Sequence, residues 1–330
     1  MSREAVEQTE KRISAQYQVI ESLKSEFSKV IVGQEDFRLG LLTALMCDGH
    51  VLIEGVPGLA KTLAARTLAN CVSAGFSRIQ FTPDLLPADL TGTMVFLPDK
   101  GTFEARMGPV FTQFLLADEI NRAPAKVQSA LLEAMQERQV TFGGVSHPLP
   151  KPFFVMATQN PIEQEGTYPL PEAQVDRFLM KLRIDYPTGE EELRILERMG
   201  TQVPPVASSV VTPEQIVELQ GLSTEIVVER SVLEYMVRLS VATRFPKQAG
   251  LSELSNLISY GASPRGTLAL QAASRARALL AGEAFVTPDT VKEIAPDVLR
   301  HRLIRSFEAE AEQVGVEEII ATILGRIPVK

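Results

Sequence analysis

A glycine-rich loop constrains the fold of this chain more than any other feature. It lies between an apolar strand, residues 51–53, and a segment in which apolar side chains recur at helical spacing. Glycine lets a backbone wrap closely around an anion, and the N-terminus of the following helix turns its N–H groups toward that anion. Lys61 adds a positive charge and Thr62 a hydroxyl that suits Mg²⁺. These properties predict a polyphosphate site formed by the whole loop, Gly55-Val56-Pro57-Gly58-Leu59-Ala60-Lys61-Thr62.

The loop departs from the usual phosphate-binding pattern at one position, because alanine stands where glycine normally precedes the lysine. Ala60 adds only a methyl group, so the loop tolerates it if that position has an ordinary φ, and the departure weakens the match to the pattern. The alternative interpretation is a turn before a core helix, with Lys61 merely exposed. The rest of the chain favours the phosphate site.

A second motif is an apolar run that ends in two carboxylates, Asp118 and Glu119. The run, residues 114–117, is typical of a buried parallel strand, and ligands of open α/β sheets bind at the carboxyl ends of such strands. We predict that Asp118 binds Mg²⁺ and that Glu119 orients and polarises an attacking water. Asn160 follows another apolar run, residues 153–157, and would lie beside Asp118 if the two strands are neighbours. Its amide is expected to hold the water or the γ-phosphate, although it also suits a turn before a proline.

Two arginines are candidates for stabilising negative charge on a transferring phosphoryl group. Arg177 precedes the last apolar strand, residues 179–184, and a guanidinium suits a developing phosphoryl charge. Arg265 lies in the first turn of a predicted helix, where the helix dipole disfavours a cation, and a residue placed against local stability is a functional candidate. Simple solvation would also explain an arginine at a helix end, and that alternative stays open for Arg177.

The order of the elements predicts an α/β unit followed by a helical one. Within the first unit we expect two β-hairpins, at residues 93–105 and 139–149, the second with a two-glycine turn. We divide the chain into an N-terminal amphipathic helix, a nucleotide-binding core, a helix with a linker, and a helical domain, which span residues 1–30, 31–187, 188–209 and 210–330 respectively.

Composition limits the compartment and the partners. The chain has 330 residues, of which 33 are basic and 41 are acidic, so its net charge is -8. This balance provides no electrostatic footprint for non-specific binding of nucleic acid. No apolar run approaches the roughly 18 residues of a membrane span, and the N-terminus has no apolar signal core. We therefore expect a cytoplasmic protein. No metal-ligand or disulfide spacing is found among its cysteines and histidines, Cys47, Cys71, His50, His147 and His301.

These motifs resemble those of the AAA+ ATPases, and within them those of the MoxR family. The glycine-rich loop resembles the MoxR form, including its alanine. Residues 115–124, Leu-Leu-Ala-Asp-Glu-Ile-Asn-Arg-Ala-Pro, resemble the extended Walker B segment, and residues 157–161, Ala-Thr-Gln-Asn-Pro, resemble sensor 1. Asp176-Arg177-Phe178 resembles the arginine-finger segment, and Gly261-Ala262-Ser263-Pro264-Arg265 resembles sensor 2. The resemblance covers nearly the whole chain beyond Val30.

The resemblance implies a core with a five-stranded parallel sheet and helices on both faces, followed by a smaller, all-α lid. ATP and Mg²⁺ would lie at the junction of core, lid and neighbouring subunit. Val32, Gly33 and Gln34, which by themselves read as a turn before a helix, acquire a role on the adenine side of ATP. Arg177 would act in trans on the ATP of the next subunit of a ring, expected to be a hexamer. Whether Arg265 acts in cis or in trans stays open, and the hairpins would face the central pore or the client.

The function that the resemblance implies is a Mg²⁺-dependent ATPase that works as a chaperone-like remodeller, in the activation, assembly or metal loading of client proteins. MoxR relatives typically act with a partner that carries a von Willebrand factor A domain, so such a partner is expected here. One alternative is a motor subunit of a chelatase-like or helicase-like complex, although the acidic balance argues against DNA. The other is a nucleotide-gated switch with little hydrolysis, which the complete water-activating set disfavours.

Overall fold

A five-stranded parallel sheet forms the centre of the N-terminal half in the computed structural model, which describes residues 3–161, 166–201 and 205–329. Each neighbouring pair of strands runs parallel. The predicted five-stranded parallel sheet is therefore confirmed. Its strands, in spatial order, are β2 (Phe76–Gln80), β5 (Phe114–Asp118), β8 (Phe154–Gln159), β1 (Val51–Gly55) and β9 (Met180–Ile184).

The three inner strands, β5, β8 and β1, are mainly apolar on both faces because each face of the sheet packs against a separate apolar core. Along β5, Leu116 belongs to the core that helices from both halves of the chain share, whereas Leu115 belongs to the core on the opposite face. Both side chains are fully buried. Burial on both faces explains why the strands read as continuous apolar runs rather than as alternating ones.

The register of the sheet brings the predicted motifs to one edge. Gln80 lies opposite Asp118, and Ile53 lies opposite Thr158. Since β5, β8 and β1 are consecutive neighbours, their carboxyl ends lie side by side. The condition for placing Asn160 beside Asp118, that β5 and β8 are neighbours, is met.

The chain forms both predicted hairpins. The strands β3 (Gly92–Leu97) and β4 (Thr102–Met107) pair in antiparallel fashion, as do β6 (Gln139–Phe142) and β7 (Val145–Pro148). The second turn contains Gly143 at φ 60° and Gly144 at φ 77°. Positive φ at both central residues is what a tight two-residue hairpin turn demands, and glycine accepts it without steric cost.

Seven helices precede residue 200 in the described part of the chain. The N-terminal helix buries Ile20, Leu23 and Phe27, and it contacts the helices 61–71 and 213–225, so it joins the two halves of the molecule. These helices are α1 (Arg3–Val30), α2 (Glu35–Met46), α3 (Lys61–Cys71), α4 (Pro87–Thr91), α5 (Ala125–Glu137), α6 (Glu172–Val175) and α7 (Gly189–Met199). The linker predicted over residues 188–209 lies partly outside the described residues, at 202–204.

The C-terminal part is helical, with one exception to the expectation of helices alone. Two short strands, β10 (Ile258–Tyr260) and β11 (Ile304–Arg305), form an antiparallel ribbon. This ribbon is an addition to the predicted helical domain, because strands of this length are too short to leave an alternating pattern in the sequence. The helices are α8 (Pro213–Glu225), α9 (Arg230–Arg244), α10 (Pro264–Ala281), α11 (Pro288–Leu299), α12 (Phe307–Ala311) and α13 (Val316–Arg326).

Candidate active site

The glycine-rich loop connects the end of β1 to the start of α3 at one edge of the sheet. Ala60 has no side chain that could cap α3, which leaves the N–H groups of the first turn available to an anion. Gly58 has φ 88°, and a Cβ added there would meet no atom within 4 Å. The loop thus combines open space with a helix N-terminus, as a phosphate site requires.

Lys61 lies across this loop. Its Nζ donates a hydrogen bond to the carbonyl oxygen of Gly55 at 2.6 Å. Burial lowers the pKa of Lys61, while the charges of Asp118 and Glu119 act in the opposite direction. The half-buried ammonium of Lys61 therefore interacts with the two carboxylates predicted from the sequence. Its positive charge would stabilise a polyphosphate bound between them.

The backbone of Ala60 does not have the ordinary φ that was the condition for tolerating alanine. Ala60 adopts φ 55° and ψ 20°, in the left-handed region, directly before α3. This conformation costs a residue with a Cβ roughly 1–2 kcal/mol relative to a right-handed one. The loop tolerates alanine because the fold holds the strained residue in place, and such strain often marks a functional loop.

Asp118 ends β5 and is buried by two partners that the sequence did not single out. The Oγ1 of Thr158 donates to Oδ1 of Asp118 at 2.6 Å and accepts the N–H of Glu119 at 2.8 Å. Nε and Nη2 of Arg78 donate to the other carboxylate oxygen at 3.0 and 2.6 Å. The carboxylate is therefore fixed in orientation and balanced by a guanidinium from the neighbouring strand β2.

Glu119 follows the strand with φ 55°, and two side chains hold its carboxylate. The Nε2 of Gln80 donates to Oε2 at 2.6 Å, and Nη1 of Arg122 donates to the same oxygen at 2.9 Å. Since Gln80 ends β2 and lies opposite Asp118, it reaches across the edge of the sheet. A carboxylate held this way is oriented before any ligand arrives, which suits the prediction of a water-polarising role.

Asn160 is buried and directly follows β8, between the acidic pair on β5 and the loop after β1. The turn of Val32, Gly33 and Gln34 lies at the start of α2. Gly33 and Gln34 both have positive φ, and the N–H of Gln34 donates to Oε1 of Glu191 at 3.0 Å. This agrees with the turn expected from the sequence, and its adenine-side role stays a prediction.

Arg177 and Arg265 lie near each other at the amino ends of the strands, opposite the glycine-rich loop. Both are exposed, and both line a cavity of about 280 Å³ together with His50 and Met135. The carbonyl oxygen of His50, the residue before β1, accepts the N–H of Leu179 at 2.8 Å. A five-residue strand at roughly 3.3 Å per residue separates this edge from the loop after β1 by about 17 Å. The two arginines thus lie away from the loop of their own chain.

The residues at the carboxyl edge suit ATP and Mg²⁺ by their chemistry. A hydroxyl from Thr62 and a carboxylate oxygen from Asp118 are hard oxygen ligands, which Mg²⁺ prefers together with phosphate oxygens and water. The described residues contain no group of three histidine, cysteine or acidic side chains that could hold a metal ion alone. No helix in the ranges that the structure describes is long and apolar enough to cross a membrane.

Comparison with known proteins agrees with this arrangement. A profile of the ATPase family associated with various cellular activities (AAA) matches residues 50–180, and a profile of the AAA lid domain matches residues 253–323. The chain is 48% identical to chaperone MoxR1 of Mycobacterium tuberculosis over 94% of this chain and 82% of that protein. It is 44% identical to protein YeaC of Bacillus subtilis, over 92% of each. A crystal structure of a candidate ATPase from Cytophaga hutchinsonii superposes with a TM-score of 0.91 at 45% identity, over 99% of this chain and 98% of that one.

Proposed function

This chain belongs to the MoxR family of AAA ATPases, and on that basis we propose that it is a Mg²⁺-dependent ATPase acting in an assembly of its own copies. The observation that carries the proposal is the convergence of the loop, Lys61, Asp118 and Glu119 at the carboxyl edge of one parallel sheet. The loop N–H groups and Lys61 bind the phosphates, while Thr62 and Asp118 hold the metal ion. When bound, Mg²⁺ neutralises phosphate charge and orients the nucleotide.

Glu119 is the residue that orients and polarises the attacking water. Gln80 and Arg122 hold its carboxylate, so its direction is set before the reaction and is not lost to side-chain rotation. Asn160 is proposed to hold the same water or the γ-phosphate from the neighbouring strand. Together these groups position and activate the attacking water; positioning and electrostatic stabilisation are the main contributions available to a phosphoryl transfer.

The position of the arginines supports an assembly. Because Arg177 and Arg265 lie about a strand's length from their own loop, by the roughly 3.3 Å rise per residue, we propose that both act on the ATP of a neighbouring subunit. This extends to Arg265 the trans action that the resemblance implied for Arg177. We also propose a hexameric ring, a cytoplasmic location and a partner with a von Willebrand factor A domain.

The remodelling role rests on the relative named a chaperone and on the two hairpins. Phe103 is 65% exposed on β4 and lies 5.2 Å, centroid to centroid, from Phe96 on β3. Val145 of the second hairpin is also exposed. Exposed apolar side chains on a protruding ribbon suit transient contact with an unfolded segment of a client. We propose that the hairpins are where ATP turnover acts on the client.

The experiment that tests the ATPase is phosphate release with Mg²⁺ and ATP, beside nucleotide binding, for the wild-type chain and three variants. Glu119→Gln should bind ATP and lose about 100-fold or more in turnover, since it removes the general base. Lys61→Ala should weaken both binding and turnover. Glu104→Gln, which makes the same chemical change on the exposed strand β4, serves as the control and should match wild type.

Wild-type turnover by Glu119→Gln would show that another residue activates the water. ATP binding without Mg²⁺-dependent turnover in the wild type, at concentrations where the chain assembles, would favour the nucleotide-gated switch. A turnover that rises only on addition of DNA would favour a helicase-like motor.

A further inference from the structure

Arg302 is a buried arginine whose guanidinium hydrogen-bonds to the backbone on both sides of Arg177. Only 3% of its side chain is exposed. Nε donates to Oδ1 of Asp176 at 2.8 Å, and Nη2 donates to the carbonyl oxygens of Asp176 and Phe178 at 3.3 and 2.8 Å. Nη1 donates to the carbonyl oxygens of Leu179, at 3.1 Å, and of a residue in α11, Val298. All five N–H donors of the guanidinium are therefore used, and they fix the segment that carries Arg177.

The second oxygen of Asp176 continues the network to Arg265. Oδ2 of Asp176 accepts a hydrogen bond from Oγ of Ser263 at 3.0 Å, and the same hydroxyl oxygen accepts the N–H of Arg265 at 3.1 Å. Ser263 is the N-cap of α10, so its side chain fixes the first turn of that helix. One continuous chain of hydrogen bonds thus runs from Arg302 through Asp176 and Ser263 to the backbone of Arg265.

The guanidinium groups of the two exposed arginines, Arg177 and Arg265, take no part in this network. Within the residues that the structure describes, neither the Arg177 nor the Arg265 guanidinium has a hydrogen-bond or ion-pair partner. Their backbones are held while their charged ends stay available. An arrangement that only joined core and lid would not need two unpaired guanidinium groups beside the joint.

We propose that Asp176, Ser263 and Arg302 form a clasp that presents Arg177 and Arg265 as one unit to the ATP of a neighbouring subunit. The proposal rests on the proposed function, in which both arginines act in trans. The three residues are positioning residues, because they act through the two arginines and do not contact the nucleotide. The clasp joins elements from the core and the lid, so both arginines keep one spacing and approach the phosphates together.

The test uses Ser263→Ala, which removes the link to Asp176, against a matched control. Thr212→Ala removes the same kind of N-cap before a proline, at the start of α8, and leaves the clasp intact. We expect Ser263→Ala to lower kcat about 10- to 100-fold, the effect of misplacing a catalytic group, without changing ATP binding. Thr212→Ala should keep wild-type kcat. Ser263→Thr restores a hydroxyl and should recover turnover.

Mixed assemblies separate positioning from a general defect of the subunit. Glu119→Gln subunits hydrolyse poorly but carry intact arginines, so adding them to Ser263→Ala subunits should restore turnover at the latter's ATP sites. Adding Arg177→Ala subunits to Ser263→Ala subunits should restore none. Failure of Glu119→Gln subunits to restore turnover would overturn the clasp, as would wild-type kcat in Ser263→Ala alone.

The outcome also distinguishes the clasp from the proposed function beneath it. If Arg177→Ala turns over ATP like the wild type, the trans action of the arginine is wrong and the clasp falls with it. If Arg177→Ala loses turnover while Ser263→Ala keeps it, the proposed function stands and only the clasp is wrong.

Discussion

Acidification should destabilise this chain through one buried histidine, His50. Its Nδ1 accepts the N–H of Val155 at 3.1 Å, so the ring proton lies on Nε2, which donates to the carbonyl oxygen of Met135 at 3.2 Å. The bond from Val155 needs the neutral ring, because a protonated Nδ1 cannot accept it, whereas Nε2 can donate to Met135 in either charge state. Burial, helped by the charge of Arg138, lowers the pKa of His50 to about 3.

The size of the effect follows from the difference between the folded and unfolded pKa. An unfolded histidine titrates near pH 6.5, so between about pH 6.5 and pH 3 only the unfolded chain binds this proton. The contribution of His50 to stability is therefore complete above about pH 6.5 and declines as the pH falls, by about 1.4 kcal/mol per pH unit. At about pH 5 the folded chain should have lost about 2 kcal/mol through His50 alone.

The assay is urea unfolding followed by circular dichroism at about pH 7.5 and about pH 5, for wild type and His50→Gln. Glutamine retains a donor and an acceptor but does not titrate, so the drop in unfolding free energy on acidification should be about 2 kcal/mol smaller in the variant. His301 is also buried with a lowered pKa, but it is present in both chains and cancels in the comparison. Equal pH dependence of the unfolding free energy in the two chains would show that His50 does not cause the loss of stability.

Two further predictions concern the candidate site. Ala60→Gly should raise the free energy of unfolding by about 1 kcal/mol, because glycine accepts the left-handed conformation, whereas Ala321→Gly, on an exposed face inside α13, should lower it by about 1 kcal/mol. A decrease in both would contradict the strain at Ala60. Arg78→Met should destabilise the ligand-free chain by about 1–2 kcal/mol by leaving Asp118 without its guanidinium. Excess Mg²⁺ and ATP should reduce that loss, and an unchanged loss would argue that Asp118 does not face the metal ion.

The sheet was predictable, and so was the part of the site at the carboxyl ends of its strands, because strong local patterns specify them. A strand buried on both faces must be apolar throughout. The apolar run that ends at Asp118 therefore predicted a strand inside a sheet, with a neighbour on each side. The polar residues that follow such runs then lie at one edge, because parallel strands share their direction. Gly143 and Gly144 specified the second hairpin in the same local way, through the positive φ that the turn requires.

The partners of the acidic pair were not predictable, because they depend on register and reach. Arg78 and Gln80 read as ordinary polar residues of an edge strand, and only the pairing of β2 with β5 brings them to Asp118 and Glu119. Thr158 looked like part of a motif rather than the residue that hydrogen-bonds both acids. The φ of Ala60 could not be predicted for another reason: a residue's identity limits its backbone conformation but does not set it when the surrounding loop holds it.

Arg302 shows that contacts between distant parts of the chain could not be predicted from the sequence. It lies more than a hundred residues from Asp176, in a turn after α11 with no motif around it, yet it fixes the segment that carries Arg177. Without that contact, the spacing between Arg177 and Arg265 could not be derived, and the side on which Arg265 acts stayed open. We propose the trans side for Arg265, since the clasp holds both arginines at the amino ends of the strands, away from the loop at the carboxyl ends. A site divided in this way between two edges of one sheet can be complete only where the two edges of different subunits meet, which makes assembly part of the proposed chemistry.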